Sequence, residues 1–292
     1  MSNEPSDPNV WRIGQSDEEL STAPTVYKDG LFKGRVVLVS GAGSGLGRGI
    51  AALFARLGAQ LVICGRDEER LASASSLLTG LGATVHTKTM TIRDTDKIEE
   101  LMDEVWDRFG HLDVLVNNAG GQYPQAAIDF TDKGWDAVVG TNLSGTWYMM
   151  QRAAQRWRDK GQQGNIVNIV AIFERGMPGI AHTGAARAAV TNLSKTLAVE
   201  WAPLGIRVNC VAPGTVATPG FRQYPPEGVE SFQQCNVQQH PGDMHDVAQA
   251  VVYLAADSGK FITGDVIHVD AGQRMWGESW PAGKPDYFKV GV

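Results

Sequence analysis

The chain has little of what would place it outside a reducing, aqueous compartment. Its 292 residues include only three cysteines, Cys64, Cys210 and Cys235. An odd number at wide spacing excludes the disulfide framework of small secreted domains. Cys64 and Cys210 lie in apolar, strand-like runs and read as buried free thiols. No apolar run approaches the ~20 residues that a membrane-spanning helix needs. No basic segment leads into an apolar stretch near Met1, so no secretory signal is read. The ending Lys289-Val290-Gly291-Val292 is not a peroxisomal address. Basic charge is scarce too: 26 Lys and Arg against 32 Asp and Glu leave a net charge of −6, with no electrostatic footprint for nucleic acid. His86, His111, His240, His245 and His268 lack metal-ligand spacing, and no metal is expected. These absences predict a cytoplasmic protein with no nucleic-acid, membrane or metal partner.

What the chain does have is glycine, 34 residues of it, and a regular alternation of texture. Residues 1–33 are polar, carry Pro5, Pro8 and Pro24, and show no sustained period. They read as an arm that drapes over the body or stays loose. From Arg35 onward, β-rich runs at 35–40, 60–64, 84–90, 114–117, 165–170, 207–212 and 266–269 alternate with helical spacing at 46–57, 68–78, 97–109, 135–158, 183–201 and 246–255. Seven strands separated by helix-length segments predict one Rossmann-like, doubly wound α/β domain over 34–272. Its seven-stranded parallel sheet should carry helices on both faces. The stretch 215–239, rich in Pro, Gly and Gln, breaks the rhythm and is read as a substrate lid. Phe221, Tyr224 and Phe232 within it suit an acyl chain or simple packing. The tail 273–292 holds Trp276, Trp280, Tyr287 and Phe288, aromatics that are expected to dock, as across a subunit interface. Trp11 is read the same way.

One loop carries chemistry. Ser40-Gly41-Ala42-Gly43-Ser44-Gly45-Leu46-Gly47 follows the first strand directly and opens the first helix. Glycines allow the tight turn and let the backbone approach a pyrophosphate at the positive helix N-terminus. The strand before and the helix after supply the context that such a motif needs. A bound dinucleotide is expected. The second strand then ends Ile63-Cys64-Gly65-Arg66, with no carboxylate until Asp67. A carboxylate there would hold a ribose 2′-hydroxyl, whereas a guanidinium suits a 2′-phosphate. NADP(H) is therefore expected ahead of NAD(H), with Ser44 adding a hydroxyl contact. The alternative is that Arg66 is a solvated turn residue.

Further motifs stand in a fixed order. They are Asn117-Asn118-Ala119-Gly120, Thr141-Asn142-Leu143-Ser144-Gly145, Ile206-Arg207-Val208-Asn209 ahead of Val211-Ala212-Pro213-Gly214, and Ile262-Thr263-Gly264. Together with the glycine loop, over residues 33–272, this set resembles the short-chain dehydrogenase/reductase superfamily. The resemblance implies hydride transfer to or from a nicotinamide in a dimeric or tetrameric protein. It implies a cofactor site built from Gly41, Gly43, Ser44, Gly45, Leu46 and Gly47, with Asn118, Ala119 and Gly120. Pro213, Gly214, Val216 and Thr218 would hold the nicotinamide amide. Thr91 and Ile92 fall where the family has an aspartate against adenine. Asn142 would hold a water that feeds the site, or else kink its helix by bonding to backbone.

The superfamily's serine and its Tyr-x-x-x-Lys are absent. Aligning on Ala188-Ala189-Val190 puts Thr183 at the tyrosine, Arg187 at the lysine, and Val170 or Ala171 at the serine. A threonine hydroxyl lacks the acidity of a phenol, and a guanidinium stays charged. Alcohol oxidation by the usual relay is not expected. The runs His182-Thr183-Gly184-Ala185-Ala186-Arg187-Ala188, Gly120-Gly121-Gln122 and Lys133-Gly134-Trp135 resemble peroxisomal trans-2-enoyl-CoA reductase and the related 2,4-dienoyl-CoA reductases. Those families reduce carbon–carbon double bonds of acyl-CoA thioesters with NADPH. Asp286-Tyr287-Phe288 is similar to bacterial citronellol-type dehydrogenases. In enoyl-thioester reduction, charge collects on the thioester oxygen, which needs a hydrogen-bond donor and no tyrosine. Thr183 would donate there and Arg187 would hold the nicotinamide ribose. Neighbouring side chains on a helix diverge by ~100°, so His182 reads as structural. Three functions follow as expectations: a reductase of an enoyl-CoA-type substrate, an alcohol or ketone dehydrogenase of terpenoids or acyl-CoA, and a catalytically silent NADP(H)-binding protein.

Overall fold

Successive residues of β1 (Val36–Ser40) point to opposite faces of a sheet, and every one of them is buried. A strand covered on both sides has no place for polar alternation, which is why residues 36–39 are continuously apolar. Six more strands complete the sheet: β2 (Gln60–Gly65), β3 (Val85–Thr89), β4 (Val114–Asn117), β5 (Gly164–Ile169), β6 (Ile206–Pro213) and β7 (Val266–Val269). Their spatial order is β3-β2-β1-β4-β5-β6-β7, and each neighbouring pair is parallel. This is the seven-stranded, doubly wound sheet that the sequence predicts. The computed structural model describes residues 13–224 and 226–275.

Helices α1 (Asp17–Thr22), α2 (Gly45–Arg56) and α3 (Glu68–Gly80) precede α4 (Thr95–Phe109). Then come α5 (Asp132–Val139), α6 (Thr146–Lys160), α7 (Ala181–Glu200), α8 (Pro226–Ser231) and α9 (Met244–Ala255). On one face Val37, Val39, Leu61 and Ile63 pack with α2, α3 and α9. On the other, Val36, Leu38, Val62 and Cys64 pack with α4, α6 and α7. Local signals set the helix ends. In α4 the Asp94 carboxylate accepts the N–H groups of Asp96 and Lys97, and Gly110 closes the helix at φ +77°, the left-handed geometry that glycine adopts freely. All three cysteines are buried free thiols.

One predicted helix is corrected. The single span 135–158 is instead α5, a wide π turn over Gly140–Gly145, and α6. The turn widens where Asn142 sends its amide to the chain at Gly121 and where Gly145 presses on Ile92. A Cβ at Gly145 would stand 2.7 Å from Ile92 Cγ1. Such single-turn π segments recur at functional sites.

From residue 13 the N-terminal arm drapes over the body. α1 is capped reciprocally by Ser16 and Glu19. Leu20 and Phe32 are buried in the core beside α2, with the Phe32 ring edge-on to Phe54 at 4.8 Å. Arg48 of α2 holds Asp17 through both carboxylate oxygens at 2.8 and 2.9 Å. The Tyr27 hydroxyl donates to the Gln249 carbonyl of α9 at 2.7 Å. Trp11, Trp276, Trp280, Tyr287 and Phe288, with Asp286, lie outside the described residues. The stretch 215–239 is not shapeless: it folds α8 and two short turns around its own cluster of Ala217, Phe221, Val229, Phe232 and Cys235.

Candidate active site

The strand order reverses between β1 and β4, so the loops leaving their carboxyl ends part and open a crevice. The glycine loop leaves β1 with φ of +70° at Gly41 and +55° at Gly45. The loop after β4 is stitched to it. Asn118 Nδ2 donates to the carbonyls of Ser40 and Gly41 at 3.0 and 3.2 Å. Ser40 Oγ accepts the N–H groups of Asn118 and Ala119 at 3.1 and 3.0 Å. A Cβ at Gly47 would fall inside the contact distance of Asn118 Nδ2 and the Gly41 oxygen, and one at Gly41 would stand 2.9 Å from Ala119 Cα. Only glycine fits at both positions. The resulting cradle of backbone at a helix N-terminus suits a pyrophosphate.

Gly43 leaves room for the first turn of α3, since its Cβ would stand 3.1 Å from Arg70 Cβ. Arg66 is exposed beside that turn. Asp67, the carboxylate nearest to it in the chain, is already engaged. It caps α3 by accepting the Arg70 N–H at 3.0 Å and pairs with Arg70 Nε at 3.0 Å. Thr91 and Ile92 follow β3, away from the crevice walls. Ile92 is buried beneath the π turn, and Thr91 Oγ1 accepts the Arg93 N–H at 3.4 Å.

The crevice encloses about 480 Å³. Gly41, Ser44, Leu46, Asn118, Ala119 and Gly120 line it together with Pro213, Gly214, Val216 and Thr218. Val170 and Ala171, which give the site no hydroxyl, also line it, as do Phe221, Tyr224 and Phe232. Gln122 Nε2 donates to the Tyr224 hydroxyl at 3.0 Å and joins the β4 loop to the 215–239 stretch.

Arg187 and Asn142 both approach Gly120, which lines the crevice. A Cβ on Gly120 would collide with Arg187 Nη2 and stand 3.0 Å from Asn142 Oδ1. Asn142 trades two bonds with Gly121, accepting its N–H and donating to its carbonyl, each at 2.9 Å. Arg187 is buried, and its Nη1 has no partner among the described residues. Burial pushes its guanidinium down to about 10, with the Cys210 sulfur partly opposing the shift. Burial holds the Cys210 thiol up at about 11.

Thr183 is set apart from that pair. Its N–H donates to His182 Nδ1 at 2.8 Å, and its hydroxyl stands 3.4 Å from the same nitrogen. The His182 ring therefore bends back toward Thr183. It stacks on Phe130 at 4.5 Å and meets the edge of Tyr123 at 4.8 Å, and burial lowers its pKa. This packing is a structural role for His182 at the start of α7. Residues that the sequence did not single out also line the crevice: Arg175 from the β5–α7 loop, and Gln273 and Arg274 at the head of the segment read as a tail.

The fold is a doubly wound α/β sheet with a crevice at its topological switch point. A family model described as "Enoyl-(Acyl carrier protein) reductase" matches residues 41–274. Over 242 residues the chain is 34% identical to the 3-oxoacyl-[acyl-carrier-protein] reductase FabG of Thermotoga maritima, covering 82% of this chain and 98% of that protein. Over 253 residues it is 33% identical to a probable 2,4-dienoyl-CoA reductase of Bacillus subtilis, covering 85% and 98%. Among solved structures it is similar to the citronellol catabolism dehydrogenase AtuB of Pseudomonas aeruginosa, with a TM-score of 0.77 and 32% identity over 86% of this chain and 99% of that one. The chain belongs to the short-chain dehydrogenase/reductase family, whose members bind NAD(P)(H).

Proposed function

We propose that the protein is an NADP(H)-dependent reductase of the carbon–carbon double bond in an enoyl thioester, carried as acyl-CoA. The observation that carries this reading is Arg187: a buried guanidinium with a partnerless Nη1, pressed against Gly120 at the crevice floor. A cation left unmatched there suits ligand oxygens, and no phenol or amine stands at the positions the family uses for alcohol chemistry. The relatives named as 2,4-dienoyl-CoA reductases support the substrate class. Arg66, exposed beside a carboxylate that is already engaged, supports a 2′-phosphate.

The glycine cradle of Gly41, Gly43, Ser44, Gly45, Leu46 and Gly47 would hold the pyrophosphate. Pro213, Gly214, Val216 and Thr218 would hold the amide end. The reduced nicotinamide, when bound, would supply hydride to Cβ, and Cα would take its proton from solvent. Arg187 donates to ribose oxygens, and Asn142 holds the Gly120–Gly121 loop over Arg187. Thr183 donates to the thioester oxygen as charge gathers on it. Thr91, just past β3, borders the adenine, while Ile92 packs beneath the π turn. Residues 215–239 act as the lid, and the protein works as a cytoplasmic homo-oligomer, a dimer or tetramer.

The test is NADPH consumption, followed by absorbance, on adding enoyl-CoA esters from crotonyl-CoA upward. Consumption with at least one chain length is expected. No turnover across the series, with NADPH still bound, would leave a silent nucleotide-binding protein. The likeness to a citronellol catabolism dehydrogenase favours a second reading, in which citronellol-like alcohols reduce NADP⁺ while the thioesters stay inert.

A further inference from the structure

The N-terminal arm is anchored to the body on both sides of α1. Arg48 of α2 holds Asp17, and Arg56 of the same helix donates through Nη2 to the Ala23 carbonyl at 2.7 Å. Just past α1, the Pro24 carbonyl accepts His245 Nε2 at 2.9 Å. Ahead of α1, the Gln15 amide returns to the start of α9. Its Oε1 accepts the His245 N–H at 3.1 Å, and its Nε2 donates to Asp243 at 3.3 Å. Gly14 thus stands on a base fixed by α2 and α9.

From that base it reaches the root of the 215–239 stretch. The Gly14 N–H donates to the Ala217 carbonyl at 3.1 Å. Gly14 has φ of +79°, and a Cβ there would stand 3.3 Å from Pro219 Cδ, so glycine lets the arm approach this closely. The Ala217 N–H is also held, by the Gly242 carbonyl at 2.8 Å, beside the bridge that pairs Val216 with Gly242. Val216 and Thr218, on either side of Ala217 in the chain, both line the crevice. Thr218 also meets the glycine loop: a Cβ at Gly45 would stand 3.8 Å from Thr218 Cβ. The carbonyl that Gly14 holds belongs to the peptide leading into Thr218, so that one bond fixes the plane from which Thr218 departs.

We infer that Gly14 and Gln15 are positioning residues for the nicotinamide end of the cofactor site, a strap that sets Val216 and Thr218 against the glycine loop. This rests on the reading in which Pro213, Gly214, Val216 and Thr218 hold the amide end, and on nothing about the substrate. The cradle for the pyrophosphate is stitched separately, through Asn118 and Ser40. Loosening the strap should therefore weaken the grip on the nicotinamide and spare the grip on the phosphates.

The test is calorimetric titration of NADPH and of 2′-phospho-ADP-ribose into the full-length protein. The second ligand keeps the adenine, the 2′-phosphate and the pyrophosphate and lacks the nicotinamide. Wild type should bind NADPH more tightly than this fragment. G14P removes the N–H that Ala217 accepts, and Q15A removes the amide that seats Gly14 on α9. Each should weaken NADPH by about three- to tenfold and change the fragment by less than about twofold. Q15A leaves the backbone intact and carries the test if G14P does not fold. Equal losses for both ligands, or no loss in either variant, overturn the strap. Equal affinities of wild type for the two ligands overturn the reading of 213–218 as the amide site, and the strap's role with it, before any variant is made. No turnover is needed, so failure of the thioester reading leaves the result intact. If NADH binds in preference to NADPH, NADH and ADP-ribose make the same comparison.

Discussion

Asn142 and Gly121 share both of their hydrogen-bonding groups, the amide oxygen taking the Gly121 N–H and the amide nitrogen meeting the Gly121 carbonyl, each at 2.9 Å. This exchange ties the π turn between α5 and α6 to the loop after β4, and so keeps Gly120 on Arg187. N142A removes both bonds. Because Gly121 is exposed and water can replace them, the cost is small, roughly 1–2 kcal/mol. The melting temperature should fall by a few degrees. Turnover should fall further than stability accounts for, since Gly120 is released. Full activity at a temperature where the variant stays folded would refute this role.

Gly47 abuts both Asn118 and the Gly41 carbonyl. In G47A the new methyl forces the two loops apart, at roughly 1–3 kcal/mol, and the cradle for the pyrophosphate opens. NADPH affinity, read by quenching of protein fluorescence, should drop on the order of 10–100-fold. Unaltered affinity would mean that the loop does not hold the nucleotide.

Arg66 should discriminate between the two nicotinamide cofactors. A charge-assisted contact contributes about 1.5–3 kcal/mol, so R66A should weaken NADPH on the order of 10–100-fold and leave NADH nearly unchanged. Equal losses for both would assign Arg66 a role in the fold instead.

Arg187 should be expensive to keep. Its guanidinium is lowered to about 10 by burial, and a base whose folded pKa is depressed carries a penalty wherever it is charged. That penalty, roughly 3 kcal/mol, is full at neutral pH and is relieved only as pH rises past about 10. R187M removes it, and should raise the melting temperature by roughly 2–4 °C per kcal/mol gained while abolishing turnover. A destabilised R187M would show that the cation is better satisfied than its partnerless Nη1 indicates.

Phe32 anchors the N-terminal arm in the core against Phe54. F32A should cost roughly 3–5 kcal/mol, visible as an earlier urea midpoint. A change within error would show that the arm is dispensable to the fold.

The sheet was legible because parallel strands buried on both faces leave continuous apolar runs, and β4 and β7 fall on the predicted residues. The glycine loop was legible because its signal is local: four glycines between one strand and one helix. The π turn was not, since its cause is a pairing of Asn142 with Gly121 across the chain. Arg175 escaped notice for the same reason. It sits in a loop without period, and its partner carbonyl is 98 residues away. Tyr224 could be named as a lid aromatic, but its bond to Gln122 spans 102 residues and leaves no trace in local spacing. His182 showed the reverse case. The helical divergence rule counts only directions from the axis, and the ring folds back to its own neighbour's N–H.

Most apolar residues of the stretch 215–239 pack on one another, while Val216 joins the layer beside α2 and α9. Mutations within it can reshape the mouth of the crevice without disturbing the foundations of the domain. Under the proposed lid role, what the protein accepts and how well it folds become nearly independent traits, and grafting this segment between relatives would exchange their preferences.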